Sequence, residues 1–201
     1  MNRQAQARTP RERYRDALRR TILDAAREAF VQDGYGGVSM RKLAEKIGCS
    51  HANLYLHFED KEALLDCLVE ESFERFAEGL HRLTHSTRES DPVKLLRKAG
   101  RAYVEFGVTN PNVYEFAFLL RRPGQRPRKP SIAYERMHSL VKRCMDEKRF
   151  RRMDVDLAGQ ALWAAAHGIT SLLVLRPSFG WADRDKLIGQ VIDAAVDGLL
   201  A

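Results

Sequence analysis

The sequence lacks most of the features that mark enzymes and secreted proteins. Its three cysteines, Cys49, Cys67 and Cys144, stand far apart, and no C-x-x-C pair exists. An odd, scattered set builds neither a disulfide framework nor a zinc site. A reducing, cytoplasmic setting is therefore expected. No uninterrupted apolar run reaches the roughly 18 residues of a membrane span, so no membrane partner is expected. Met1–Pro10 has no apolar core of a signal peptide, and export is not expected. There is no metal-ligand cluster, nucleophile elbow, phosphate-cradling glycine loop or close carboxylate pair, and the 13 glycines fall at helix ends. These absences argue against an enzyme and call for no metal or cofactor. Strand-like alternation and internal repeats are absent too.

What remains is a helical pattern. The 201 residues allow one large domain or two small ones and are ample for a core. Apolar content of 44% with 30% charged residues is ordinary for a globular chain, and the formal net charge is +7. The spacing predicts an all-α fold of about nine helices. The first runs from about Arg11 to Asp33, with Leu18, Ile22, Ala25, Ala26, Ala29 and Phe30 as its buried stripe and Gly34 as its stop. The fourth starts near Asp60 and carries Leu64, Leu65, Leu68, Phe73, Phe76 and Leu80 inward to about Leu83. His85–Pro92 is the clearest break. Asp91 with Pro92 then starts a fifth helix to about Val108. Asn110–Pro111 starts a sixth, containing Val113 to Leu120. Arg121–Pro130 reads as an exposed basic loop. A seventh helix spans about Ser131 to Lys148. An eighth runs from the Asp154 cap to about Leu175, apolar nearly all round and so buried on more than one side. Pro177 and Gly180 break it before a ninth from about Asp183 to Leu200.

One stretch carries the functional signal, Val38 to Lys61, V-S-M-R-K-L-A-E-K-I-G-C-S-H-A-N-L-Y-L-H-F-E-D-K. Ser39 is a good N-cap by type. Leu43, Ala44 and Ile47 make an apolar face, and Gly48 is a left-handed stop. Ser50 offers a second cap, and Leu54 and Phe58 form the buried side of a second helix. Two short helices across a tight glycine-containing turn make a helix-turn-helix; an ordinary helical corner is the plainer alternative.

The details resemble the DNA-binding domain of TetR-type transcriptional regulators. The matching residues are I-L-D-A-A-R-E-A-F at Ile22–Phe30, G-Y at Gly34–Tyr35, S-M-R-K-L-A-E-K-I-G-C-S at Ser39–Ser50, L-Y-L-H-F at Leu54–Phe58 and K-E-A-L-L at Lys61–Leu65. Further on, N-P-N-V-Y at Asn110–Tyr114 and L-W-A-A-A-H-G at Leu162–Gly168 resemble the C-terminal domain some of these regulators carry, named for its Trp, His and Gly. The resemblance implies residues 1–59 as basic arm and DNA-binding domain, and residues 60–201 as effector-binding and dimerisation domain. It implies a ligand-responsive repressor, a homodimer paired through the eighth and ninth helices, on a palindromic double-stranded DNA operator. Two positions depart from the commoner pattern. Met40 stands where a Thr-like phosphate contact is frequent, and Cys49 where the turn usually carries Val.

A recognition helix offers its first residues to base edges. Here those are Ser50, His51, Ala52 and Asn53. Asn53 can pair with adenine, His51 can donate to guanine, and Ala52 leaves room or meets a thymine methyl. Ser39, Tyr55, His57 and Lys61 are the candidate backbone contacts, and Arg41 can reach the backbone or a base. A solvated surface position is the alternative for each charged one. Met1–Arg20 holds seven arginines, Arg3, Arg8, Arg11, Arg13, Arg15, Arg19 and Arg20, against Glu12 and Asp16. Its first ten residues are expected as a mobile arm toward phosphate or the minor groove. A small-molecule effector would meet Tyr103, Phe106, Tyr114, Phe118, Met137, Trp163 and His167, aromatic residues with a few polar tips, unless these are plain core. A rival reading makes the protein an RNA- or membrane-surface binder through Arg121–Arg128. Cys49 reads as a buried filler, with a redox switch as its alternative.

Overall fold

A computed structural model describes residues 9–85, 89–120 and 131–201; the arm Met1–Arg8 and the basic stretch Arg121–Pro130 lie outside the described residues. Nine α-helices and no strand occur among them. Two compact units divide between Val69 and Glu70.

In the first unit, α1 (Pro10–Gly37) starts one residue earlier than its apolar pattern suggests. Thr9 and Glu12 form a reciprocal capping box, and Pro10 occupies the first turn, where a missing N–H costs nothing. The helix is interrupted at Gly34, whose φ of 65° and ψ of −157° suit only glycine. After it come α2 (Met40–Ile47), α3 (His51–Tyr55) and the start of α4 (Lys61–His85). Gly48 ends α2 in the left-handed region, and its N–H bonds back to α2 carbonyls. Ser50 Oγ accepts from the Asn53 amide at 3.1 Å and so caps α3. Ser39 stands at the α2 N-cap position, yet its side chain makes no cap hydrogen bond. The recognition helix is also shorter than expected: it ends at Tyr55, and Phe58 is buried beyond it in the following turn. Met40 is buried too, which removes it from any contact role. Cys49 is half-buried rather than a buried filler.

A helix of five residues has almost no stability alone. What holds α3 is Leu54, fully buried, in a core that also buries Ile22, Leu23, Ala26, Phe30, Val38, Leu43, Leu64, Leu65 and Leu68.

The second unit takes in the rest of α4 and adds α5 (Pro92–Thr109), α6 (Pro111–Tyr114), α7 (Ile132–Asp146), α8 (Val155–Leu175) and α9 (Arg184–Asp197). Side-chain caps at Asp91, Ser131, Asp154 and Asp183 set four of the five starts. The sixth helix does not continue as an α-helix: past Tyr114 it widens into a π-helical segment, Glu115–Leu119. α5 is the central element, packed on α7, α8 and α9. At Gly107 a Cβ would sit 2.3 Å from the Thr170 methyl and 2.9 Å from the Tyr114 ring, so glycine there permits the α5–α8 approach. Arg97 and Arg101 tie α5 to Asp193 of α9 at 3.0 and 2.8 Å, and Arg97 also pairs with Asp197. α8 is long and apolar enough to cross a membrane by composition alone. Here it is the inner helix of a bundle, with Ala158, Leu162, Ala166, Ile169 and Leu173 buried against its neighbours. Burial pushes the Cys144 thiol up to about 11, which leaves it an unreactive core group.

The two serine caps should behave differently. Ser50→Ala removes a made bond and should cost about 1 kcal/mol of stability. Ser39→Ala removes none and should cost much less. Chemical denaturation of both variants checks this; equal losses would contradict the capping geometry.

Candidate nucleic-acid interface

Serine at 50 does more than start α3. By holding the Asn53 amide it fixes the first turn, in which His51 and Ala52 are exposed and Asn53 is half-buried. The imidazole of His51 meets the ring of Tyr55 edge-on, 4.8 Å between centroids, one turn along. Tyr55 remains 44% exposed, so ring and hydroxyl stay available to a partner. Arg41 is exposed on α2 and pairs with Glu45 at 3.3 Å, a surface pair worth little.

A second group gathers where α4 begins. The Lys61 ammonium lies 3.7 Å above the centre of the Tyr35 ring, and the Tyr35 hydroxyl donates to the Glu62 carboxylate. A cation over an aromatic face is held in place without losing its charge. Partial burial pulls the Lys61 ammonium below its ordinary value, and Glu62 opposes that. The free helix start is less open than the sequence suggests, because the Asp60 carboxylate accepts from the Ala63 amide at 2.6 Å. An anion here would meet Lys61 more readily than a bare row of amides.

His57 is half-buried, between the two groups in sequence. Its pKa is lowered below 6.5 by burial first, then by the charges of Arg15 and Arg19. It is therefore mostly neutral at pH 7. Arg19 is held over the Phe58 ring at 4.9 Å and donates to Cys67 Sγ at 3.1 Å. Arg15 and Arg19 thus belong with the candidate set, although the sequence suggested only a basic terminal stretch. Their i, i+4 spacing on α1 was the available signal. Tyr35, matched in the G-Y pair, was likewise missing from the candidate contacts.

The seven candidate effector residues all fall in the second unit, and six of them belong to one aromatic cluster. Tyr114 is fully buried, with its hydroxyl 2.5 Å from His167 Nδ1. The Tyr103 hydroxyl lies 3.3 Å from the same nitrogen and accepts from the Trp163 indole N–H at 3.3 Å. Phe118 packs on Tyr114 at 5.1 Å and on His167 at 5.2 Å. Phe106 stacks on Phe76 at 4.7 Å and meets Phe73 at 5.1 Å. Met137 instead packs with the neighbouring core around Leu140, Val141 and Cys144. Burial raises the pKa of both phenols and lowers that of His167.

Residues 22–68 match the bacterial regulatory proteins of the tetR family, and residues 96–199 match the tetracyclin repressor-like C-terminal domain. The chain belongs to the TetR family. Over 61 residues it is 44% identical to the HTH-type transcriptional repressor Rv1474c of Mycobacterium tuberculosis, a match spanning 30% of this chain and 33% of that repressor. The chain therefore aligns with about a third of that relative's length. A longer match, 26% identity over 76% of each chain, is to the HTH-type transcriptional regulator YobS of Bacillus subtilis. The fold matches that of the Bacillus subtilis regulator FadR, solved with stearoyl-CoA, at a TM-score of 0.71 and 19% identity over 90% of this chain and 98% of that one.

The buried imidazole gives the second unit a pH dependence. Folding keeps His167 neutral, whereas the unfolded chain protonates it near 6.5. Its contribution is fully present above 6.5 and is lost as pH falls from there toward the lower folded value. Thermal midpoints taken between about pH 7.5 and about pH 5.5 should fall more for wild type than for His167→Gln. Parallel curves would show that His167 carries no part of the acid sensitivity.

Proposed function

We propose that this TetR-family chain is a ligand-responsive repressor that works as a homodimer on a palindromic operator in the cytoplasm. The observation that carries the reading is the first turn of α3, held by the Ser50 cap and presenting His51, Ala52 and Asn53. These residues read base edges. Arg41, Tyr55, His57 and Lys61 hold the flanking phosphates, and Ser39 lies beside them. The boundary between DNA-binding and effector domains falls near residue 59, where α4 begins.

Dimerisation is supported by what α8 and α9 leave exposed. Leu157, Ala161, Ala164, Gly168, Leu172 and Leu175 recur at three- and four-residue steps on α8, all exposed except the half-buried Gly168. Gln190 and Ala194 do so on α9, beside half-buried Leu187 and Val191. A paired copy would cover this stripe. Leu173, adjacent in sequence, is buried in the protomer's own core. It is therefore a poor probe of the interface, and Leu172 is the better one. Effector control requires the aromatic cluster to favour a dimer whose recognition helices miss the half-site spacing of ~34–36 Å. α4 is the lever, since it starts beside the DNA-facing residues and ends in the second unit. FadR, with stearoyl-CoA in the same fold, supports an effector site of this kind.

Two measurements check the proposal. Leu172→Asp should shift the chain to monomer in sedimentation and weaken operator binding; a monomeric wild type at micromolar concentration would sink the dimer. Asn53→Ala should lose ~1–3 kcal/mol of discrimination between operator and scrambled duplex. Lys61→Ala should weaken both duplexes alike and make the salt slope shallower by about 0.9. Unchanged operator-to-scrambled ratios in both variants would remove Asn53 from base reading.

A further inference from the structure

Tyr35 touches both charges that open α4. Gly34, at φ 65°, breaks α1 immediately before it. The half-buried Tyr35 ring then lies under the Lys61 ammonium, 3.7 Å from ring centre to nitrogen. Its hydroxyl donates to the Glu62 carboxylate, 27 residues along the chain. Lys61 and Glu62 are neighbours in sequence and opposite in charge, yet among the described residues no ion pair joins them. They still feel each other. Partial burial lowers the pKa of the ammonium, and the Glu62 charge works against that.

A lysine beside a glutamate has two anions to choose between once DNA approaches, the carboxylate and a phosphate. Whatever attraction the carboxylate takes is lost to the phosphate. Tyr35 occupies both members of that competing pair. Its ring face attracts the ammonium without neutralising it. Its phenol O–H is a charge-assisted donor to the carboxylate, which gives Glu62 a partner other than Lys61. Simple packing would need the ring alone. The hydroxyl bonded to Glu62 is what packing leaves unexplained.

We propose that Tyr35 is a positioning residue for the phosphate contact of Lys61: its ring seats the ammonium, and its hydroxyl keeps the Glu62 carboxylate from pairing with it. The proposal rests on the reading of Lys61 as a phosphate contact. Tyr35 acts without touching DNA. Removing its hydroxyl alone lets Glu62 turn to Lys61, and removing its ring unseats the ammonium as well.

The test uses the full-length chain and a random-sequence DNA duplex, because a phosphate contact carries no sequence preference. Fluorescence anisotropy follows binding across a salt series from about 50 to about 200 mM. Tyr35→Phe should bind about two- to fivefold more weakly, the scale of an exposed ion pair set against the phosphate. Its salt slope should be shallower by up to about 0.9. Glu62→Gln removes a negative charge and should strengthen binding in any background, so its gains are compared. The gain should be larger in Tyr35→Phe than in wild type. In Lys61→Ala, Tyr35→Phe should cost nothing further. Tyr35→Leu should weaken binding more than Tyr35→Phe. Its thermal midpoint is taken alongside, and if it does not fold, the near-isosteric Tyr35→Phe and Glu62→Gln decide. While Lys61→Ala still weakens binding, three results each overturn the proposal alone: wild-type affinity in Tyr35→Phe, an equal gain from Glu62→Gln in both backgrounds, or a Tyr35→Phe loss that persists in Lys61→Ala. A Lys61→Ala chain with wild-type affinity and salt slope overturns the phosphate reading of Lys61, and the proposal with it.

Discussion

Everything the first unit offers to a partner depends on burying one side chain, Leu54. The helix carrying the candidate base-reading residues is only five residues long. Its two ends are arranged locally, by the Gly48 turn and by the Ser50 cap, but neither can keep a single turn folded in water. Leu54, with no exposed surface, anchors it to the core of α1, α2 and α4. Rotating α3 to expose His51 and Ala52 and burying Leu54 are therefore the same act. The hydrophobic core sets the angle at which the polar face is shown.

Charge in this unit is organised around that packing. Lys61 is held over Tyr35, and Arg19 over Phe58, so two cations are positioned by aromatic faces rather than by carboxylates. A carboxylate partner would neutralise much of a cation's attraction for phosphate, whereas an aromatic face leaves its charge in place. Burial, and then the charges of Arg15 and Arg19, lower the pKa of His57, which places a neutral donor among fixed positive charges. A phosphate brought to His57 would oppose that depression, so docking and protonation of this residue would favour each other.

The second unit uses its buried polar groups in a different way. Tyr103, Tyr114, Trp163 and His167 satisfy one another in a chain of hydrogen bonds inside an aromatic surround. Gly107 makes this possible, since any side chain there would displace Tyr114 or Thr170. A closed network of this kind costs little to bury and fixes the orientation of each ring. The same network uses only Nδ1 of the imidazole ring. Next to it the π-helical segment Glu115–Leu119 carries Phe118 to the wet side of the cluster.

Helix boundaries were legible in the sequence because caps and stops act over three or four residues. Asp91, Asp154, Asp183 and Ser50 cap where their positions suggest, and Gly34 and Gly48 interrupt where a left-handed residue was needed. The helix-turn-helix and the TetR resemblance were legible for the same reason, being ordered local patterns. Ser39 shows the limit: its type and position suit a cap, but its hydroxyl makes no cap hydrogen bond. Only tertiary packing decided which of Leu172 and Leu173 faces inward, since α8 is apolar on nearly every side and periodicity could not choose. Packing alone also brought Arg15 and Arg19 to His57, and Tyr103 and Tyr114 to His167, across separations of tens of residues. Local rules end within one helical turn, whereas these contacts depend on where whole helices come to rest.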